Sequence, residues 1–262
     1  MQSNRCIFLA ILGLSGLSFT ASQQQNEHTY ELPEHLRDIR CREDDPALNE
    51  CIRKALQRGI HFFKTGIPAI NVPVVDPFHI HKVNYQFSNN VIKGKIRLRN
   101  INVKGLSDIT VKNVDYSRKR NHVHIIVDAA MPRLIIEGNH RADVVINNVK
   151  ILSNGSFSLT LINLVVKVIM DTELYERDGH EHDRVLKVNF DINADDMKIK
   201  AGGLLPEPAL NDAIVDFINE NWRQLYKIIF AEARPMWEPT AVKFVNDYTS
   251  YIPHDLLILK NA

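Results

Sequence analysis

Cysteine is scarce in this chain, with only Cys6, Cys41 and Cys51 among 262 residues. Catalytic signatures are missing altogether. There is no Gly-x-Ser-x-Gly, no Gly-x-x-x-x-Gly-Lys and no Gly-x-Gly-x-x-Gly, so no nucleophile elbow, phosphate loop or dinucleotide fingerprint can be placed. An excess of one charge is absent too. Without Arg5, which lies in the leader described below, Lys+Arg falls from 32 to 31 against 31 Asp+Glu, which excludes the electrostatic footprint of a nucleic-acid-binding protein. Basic runs such as "YSRKRNHVH" (116–124) read as solvated turns between strands. Long apolar runs are lacking as well. The one candidate, from Ile7 to Phe19, is too short to cross a bilayer, so stable membrane insertion is not expected. No Pro/Ser-rich linker or low-complexity tract divides the rest, which favours one continuous domain.

What is present begins with that apolar run. Arg5 precedes it and Thr20, Ala21 and Ser22 follow, the pattern of a secretory signal peptide, so residues 1–22 are expected to be removed and residues 23–262 to form the mature, secreted chain. Removal takes Cys6 away and leaves Cys41 and Cys51 as the only thiols in an oxidising compartment, where pairing is the default. Their spacing is not Cys-x-x-Cys, which speaks against a metal-binding or redox pair. In "CREDDPALNECIRKAL" (41–56), Asp45 is suited to cap a helix and Pro46 to begin it, so the bridge would staple the incoming segment to that helix. Closing so small a loop contributes about 3 kcal/mol in the chain-entropy model.

Apolar residues then alternate with polar ones from Val83 to Ile199, as in Val83, Tyr85, Phe87 and in Val123, Ile125, Val127. Turn signals interrupt the alternation at Lys93-Gly94, Lys104-Gly105, Glu137-Gly138, Asn154-Gly155 and Asp178-Gly179. A meander of antiparallel strands with one apolar face is the expectation. From Leu210 to Phe230 the period becomes helical, with Leu210, Ile214, Phe217, Ile218, Trp222 and Leu225 on one side and Asp212, Asp216, Glu220, Arg223 and Lys227 on the other. Pro235 is expected to break this helix, with a second helical stretch beyond it. A curved sheet closing over the long helix would bury both apolar faces, giving an α+β fold.

The order Leu32-Pro33, Cys41, Cys51, Gly66-Ile67-Pro68, Asp76-Pro77, Lys104-Gly105-Leu106-Ser107, "FINENW" (217–222), Pro235 and Ile252-Pro253 resembles the takeout and juvenile-hormone-binding protein family of insects. The likeness covers nearly the whole mature chain. It implies an elongated single domain, a long amphipathic helix wrapped by a highly curved antiparallel sheet, with an internal hydrophobic tunnel for a small lipophilic ligand. It implies a carrier that acts without catalysis or cofactor, as a monomer. One departure is that the central hairpin, usually rich in glycine in this family, has only Gly138 and Gly155 here.

Candidate site residues follow from the helical projection. Asn221 falls within the apolar stripe, so a strand backbone group or the polar end of a ligand must meet its carboxamide, with Phe217, Trp222 and Leu225 as apolar wall. Asn154-Gly155-Ser156 is the only N-glycosylation sequon and falls at an expected hairpin turn. Three His-x-His pairs, His79/His81, His122/His124 and His180/His182, could each present two imidazoles on one strand face. They motivate the alternative of a secreted metal-dependent enzyme, but no third ligand can be assigned, and solvent-facing histidine is the simpler reading.

Overall fold

Two very long strands organise the chain. A computed structural model describes residues 40–68, 72–88, 92–146 and 148–260, so the expected signal peptide lies outside the described residues. Strand β5 (His122–Ile146) has 25 residues and β6 (Val149–Arg177) has 29, far beyond the usual five or six. They pair antiparallel from His122↔Glu173 to Ile146↔Val149. The expected turns at Glu137-Gly138 and Asn154-Gly155 are therefore not turns, and neither is Lys93-Gly94, which lies within β3. Those glycines answer close approaches instead. A Cβ on Gly138 would stand 3.2 Å from the Phe157 ring, and one on Gly155 would stand 1.9 Å from the Gly202 carbonyl oxygen. Lys104-Gly105 and Asp178-Gly179 do turn the chain, with both glycines at positive φ.

The remaining strands flank one half of this ribbon or the other. β4 (Thr110–Lys119) pairs with the first part of β5, and β7 (His180–Asn193) with the last part of β6. At the opposite half β3 (Ile92–Lys104) pairs with the end of β5, β2 (Phe78–Ser88) lies outside β3, and β8 (Asp196–Ala201) pairs with the middle of β6. Leu161 and Leu164, three apart, are both buried because Asn163, at φ 50°, interrupts the alternation of β6 and keeps one face inward along both halves. A separate two-stranded parallel pair joins β1 (Cys41–Arg42) to β9 (Ile258–Leu259), tying the beginning of the described chain to its end.

Helices run along the open strand edges. α1 (Leu48–His61) lies on β4, α2 (Pro208–Glu220) on β8 and α3 (Trp222–Thr249) on β7; α4 (His254–Leu257) is a single turn before β9. Carboxamides on these helices take the place of a missing strand. Asn219 accepts from the Ile199 N–H at 2.8 Å and donates to its carbonyl at 3.0 Å, and Asn246 does the same to Val185 at 2.8 and 2.9 Å. Gln57 spans Val111 N–H and Ile109 C=O, and Asn49 accepts from Tyr116 N–H. Edges dressed this way cannot recruit another chain. The Phe78 ring of β2 meets Phe244 of α3 edge to face at 4.5 Å, so the two outermost strands of the main path, β2 and β7, touch the same helix. The sheet curls around α3.

Three sequence expectations change. The helix carries on through Pro235 and Pro239; it is held along β7 by Trp237 against Phe190 and by the Asn246–Val185 pair, tertiary contacts that offset the lost backbone hydrogen bonds. The break falls instead at Asn221, between α2 and α3. The first helix starts at Leu48, because Asp45 caps the turn before it by accepting from the Ala47 N–H at 2.8 Å. Cys41 and Cys51 are bonded, with an S–S distance of 2.06 Å.

Candidate functional site

Phe78 contacts α3, so its row across the sheet faces the helix: Phe78, Val103, Ile136 and Leu159 are successive cross-strand partners. Residues two apart share a face along β5, and the register shift between Arg99 and Asn102, with Asn100 at φ 51°, changes the phase of β3 against it, which adds the rows Ile80–Ile101, Val83–Leu98–His140–Gly155 and Tyr85–Ile96–Ala142–Ser153. This inward lining is almost wholly apolar. Yet Ile80, Val83, Tyr85, Ile96, Leu98, Val103, Ile136, Phe157 and Leu159 are only half-buried. At the other half the corresponding residues, among them Val111, Val114, Val123, Val127 and Leu174, are buried and form one cluster with Ile52, Ile60 and Cys41. A middle cluster of Met131, Leu161, Leu164, Val166, Met197 and Trp222 separates the two.

Two buried polar side chains, Ser153 and His140, interrupt the half-buried lining. His140 is 8% exposed, its ring 6.5 Å from that of Phe157, and neither ring nitrogen has a hydrogen-bond partner. Burial pushes its pKa below the ordinary 6.5; the Gly203 backbone pulls the other way but lies outside hydrogen-bonding geometry for either nitrogen. The imidazole is therefore neutral near pH 7, with one N–H to donate and one nitrogen to accept. An unpaired buried group of this kind is costly and needs an explanation.

The four residues expected to line the site do not converge. Trp222 is buried in the middle cluster with Arg223 stacked on it at 4.5 Å, and Leu225 is half-buried one turn on. Phe217 is 55% exposed, on a face of α2 shared with Leu210 and Ile214. Asn221 ends α2, its side-chain amide donating to the Phe217 carbonyl at 2.9 Å. The projection treated 210–230 as one helix, and the break at Asn221 gives the two segments independent faces. Asn154 is exposed, but in mid-strand rather than at a hairpin turn, opposite Arg141.

The histidine pairs behave differently from one another. His79 and His81 are exposed with rings 4.8 Å apart, and His79 Nδ1 lies 2.9 Å from Asn102. His122 and His124 are exposed, the latter 2.7 Å from Asp171. The third pair is not solvent-facing throughout: His180 meets Asp255 at 3.2 Å, while His182 is fully buried beside Arg177. Among the described residues no three His, Cys, Asp or Glu side chains are grouped so as to hold a metal ion. Two motifs that seemed unrelated in sequence meet: Asp76 accepts hydrogen bonds from the Gly105 and Ser107 N–H groups and from the Ser107 hydroxyl at 2.5 Å. Burial alone would raise the Asp76 pKa, but these donors together hold it below the usual carboxylate value.

The described residues thus form a large antiparallel sheet curled around a long helix, with a largely apolar inner face that holds Ser153 and His140. The chain belongs to the haemolymph juvenile hormone binding protein (JHBP) family, whose model matches residues 14–259. This is a family of ligand-binding carriers and not of enzymes. Among solved structures the chain is similar to the crystal structure of Epiphyas postvittana Takeout 1, at TM-score 0.63 and 20% identity over 85% of this chain and 99% of that one. That likeness shows the fold. Lipopolysaccharide binding protein is matched at TM-score 0.33 and 13% identity over 75% of this chain and 36% of that one, too weak a likeness to bear on function. A search of curated proteins by sequence found no significant match. Among the described residues no helix is long and apolar enough to cross a membrane.

Proposed function

We propose that the protein is a secreted monomeric carrier for one small lipophilic molecule, of the terpenoid, fatty-acid or isoprenoid class, held between α3 and the inner face of β2, β3, β5 and β6. The observation that carries this reading is His140, a buried imidazole with no partner on a largely apolar, half-buried lining. A ligand oxygen would satisfy it. The aliphatic remainder would lie along Val83, Leu98, Ile136 and Phe157; burial yields about 0.8 kcal/mol per CH2, so a ten-carbon chain reaches micromolar affinity with few polar contacts. Trp222 and Leu225 close the space toward the middle cluster, and Asn221 acts as a helix cap rather than a ligand anchor. Secretion is supported by the leader-like first residues and by the Cys41–Cys51 bridge. Mass spectrometry of an organic extract of the folded protein tests the reading. A stoichiometric lipophilic molecule with an oxygen function is expected, and His140→Phe should weaken its rebinding about tenfold, one hydrogen bond's worth. An extract without lipid, together with no uptake of a fluorescent fatty acid, would overturn it.

A further inference from the structure

The outer face of the same strands carries a feature that cargo binding does not use. In two of its rows cation faces cation: Lys82 is the cross-strand partner of Arg99, and Arg97 of Arg141. Like charges placed directly opposite destabilise a sheet. Lys95 stands on the same face two residues before Arg97, and all five side chains are exposed. Among the described residues none of them meets a carboxylate. Asp143, opposite Lys95, is taken by Lys150 at 3.4 Å, and Glu137 by Lys104 at 2.6 Å. Toward the other end of the outer face charges are matched, as in Arg184–Glu173 and Lys167–Asp128. In a chain of net charge +1 this cluster is a local excess. Its arginines, with Asn100, Asn139, His140 and Asn154, border a depression of about 280 Å³ that no acidic side chain enters among the described residues. Leu152, in the next outward row and 59% exposed, adds an apolar group to the rim.

We propose that this face docks on the surface of an anionic lipid bilayer, lipid phosphates occupying the ground between Arg97, Arg99 and Arg141. Docking there would relieve the two like-charge pairs and place Leu152 at the headgroup boundary, where an exposed apolar side chain is favoured, as it would not be against a soluble polyanion. The inner face of the same strands is the proposed cargo site, so contact would bring that site next to the phase in which lipophilic molecules dissolve. The purpose of docking rests on the carrier reading; its measurement does not.

Sedimentation of the full chain with vesicles tests this. Binding is expected to phosphatidylcholine vesicles containing about 30% phosphatidylglycerol, to fall as salt is raised and to be absent from phosphatidylcholine alone. The double variant R97S/R141S should bind about 25-fold more weakly, and R97K/R141K should retain most of the affinity. R97S/R141S, which removes the mutual repulsion, should not have a lower melting temperature. Equal binding to neutral vesicles, or unchanged binding by R97S/R141S, would overturn the proposal; so would salt-sensitive capture by heparin without vesicle binding, which would reassign the face to a sulfated polysaccharide. Uptake of a fluorescent fatty acid without vesicles separates the two readings: sedimentation without uptake defeats the cargo site and leaves docking standing, and uptake without sedimentation does the reverse.

Discussion

The two halves of the long β5–β6 ribbon share one construction and reach opposite outcomes. At the disulfide end α1 lies across β4, the inward residues are buried, and aliphatic side chains from helix and sheet interlock as a solid core. At the other end α3 touches the outermost strand β2 through Phe244, while Ile96, Leu98, Val103 and Ile136 on the inward side of β3 and β5 stay half-buried. Both linings are apolar. What differs is whether a helix is seated on the lining or spans its edges, and this difference separates a stabilising core from a surface able to receive a ligand.

The sharpest way to break the comparison is to truncate one residue in each half. Leu174→Ala, in the solid end, should cost about 3 kcal/mol in urea unfolding, because a cavity is left among close-packed neighbours. Leu98→Ala should cost about 1 kcal/mol or less, since its side chain is half-exposed already. Equal losses would erase the distinction. Reduction of Cys41–Cys51 should come next, removing about 3 kcal/mol or somewhat less from the solid end while leaving fatty-acid affinity unchanged. A drop in affinity on reduction would mean that the two halves are coupled.

Asp76→Ala should cost about 2 kcal/mol, because it leaves the Gly105 and Ser107 donors without their acceptor. Since the folded-state pKa of Asp76 is depressed, its contribution is present above the unfolded carboxylate value and is lost as pH falls through the lower folded one. The acid limb of a stability–pH profile should therefore flatten in the variant, and an unchanged limb would contradict the hydrogen-bond account. His140 gives a smaller effect of a different kind. Its folded pKa lies below 6.5, so the unfolded chain takes up the proton first and apo stability should decline as pH falls below 6.5. His140→Phe should lessen that decline, leaving the share of the buried His182, whose pKa is lowered as well, and should leave the melting temperature at pH 7.5 unchanged or raised, with the loss confined to cargo affinity. The smallest expected effect is at Asn154, which borders the basic depression. If the natively secreted chain carries a glycan there, the glycosylated fraction should sediment less with anionic vesicles than an Asn154→Gln form; equal sedimentation would place the docking face elsewhere.

The alternation from Val83 to Ile199 announced antiparallel strands, because a period of two needs nothing beyond the local pleat. It did not announce where they end: Gly138 and Gly155 read as turns, yet their role is set by Phe157 and by the Gly202 carbonyl, which approach only in the folded sheet. The helical projection points to Asn221 as a carboxamide met either by strand backbone or by a ligand, whereas Asn219 and Asn246 are the ones paired to strand backbone, since the kink between α2 and α3 shifts the phase. His140 left a trace that could have been followed. It occupies the strand phase of Leu134, Ile136 and Val144, an apolar phase in which a histidine is out of place.

By itself, then, the sequence determined the local and the covalent: strand and helix periods, Cys41 and Cys51 as a pair suited to a bridge, the near-balance of charge and the family order of motifs. Only the tertiary structure decided that the helix would run through Pro235, that one half of the lining would be filled and the other left half-open, and that Arg97 would stand opposite Arg141. Each of these depends on register and on which element covers which face, quantities fixed by contacts between residues far apart in the chain and therefore absent from any local pattern.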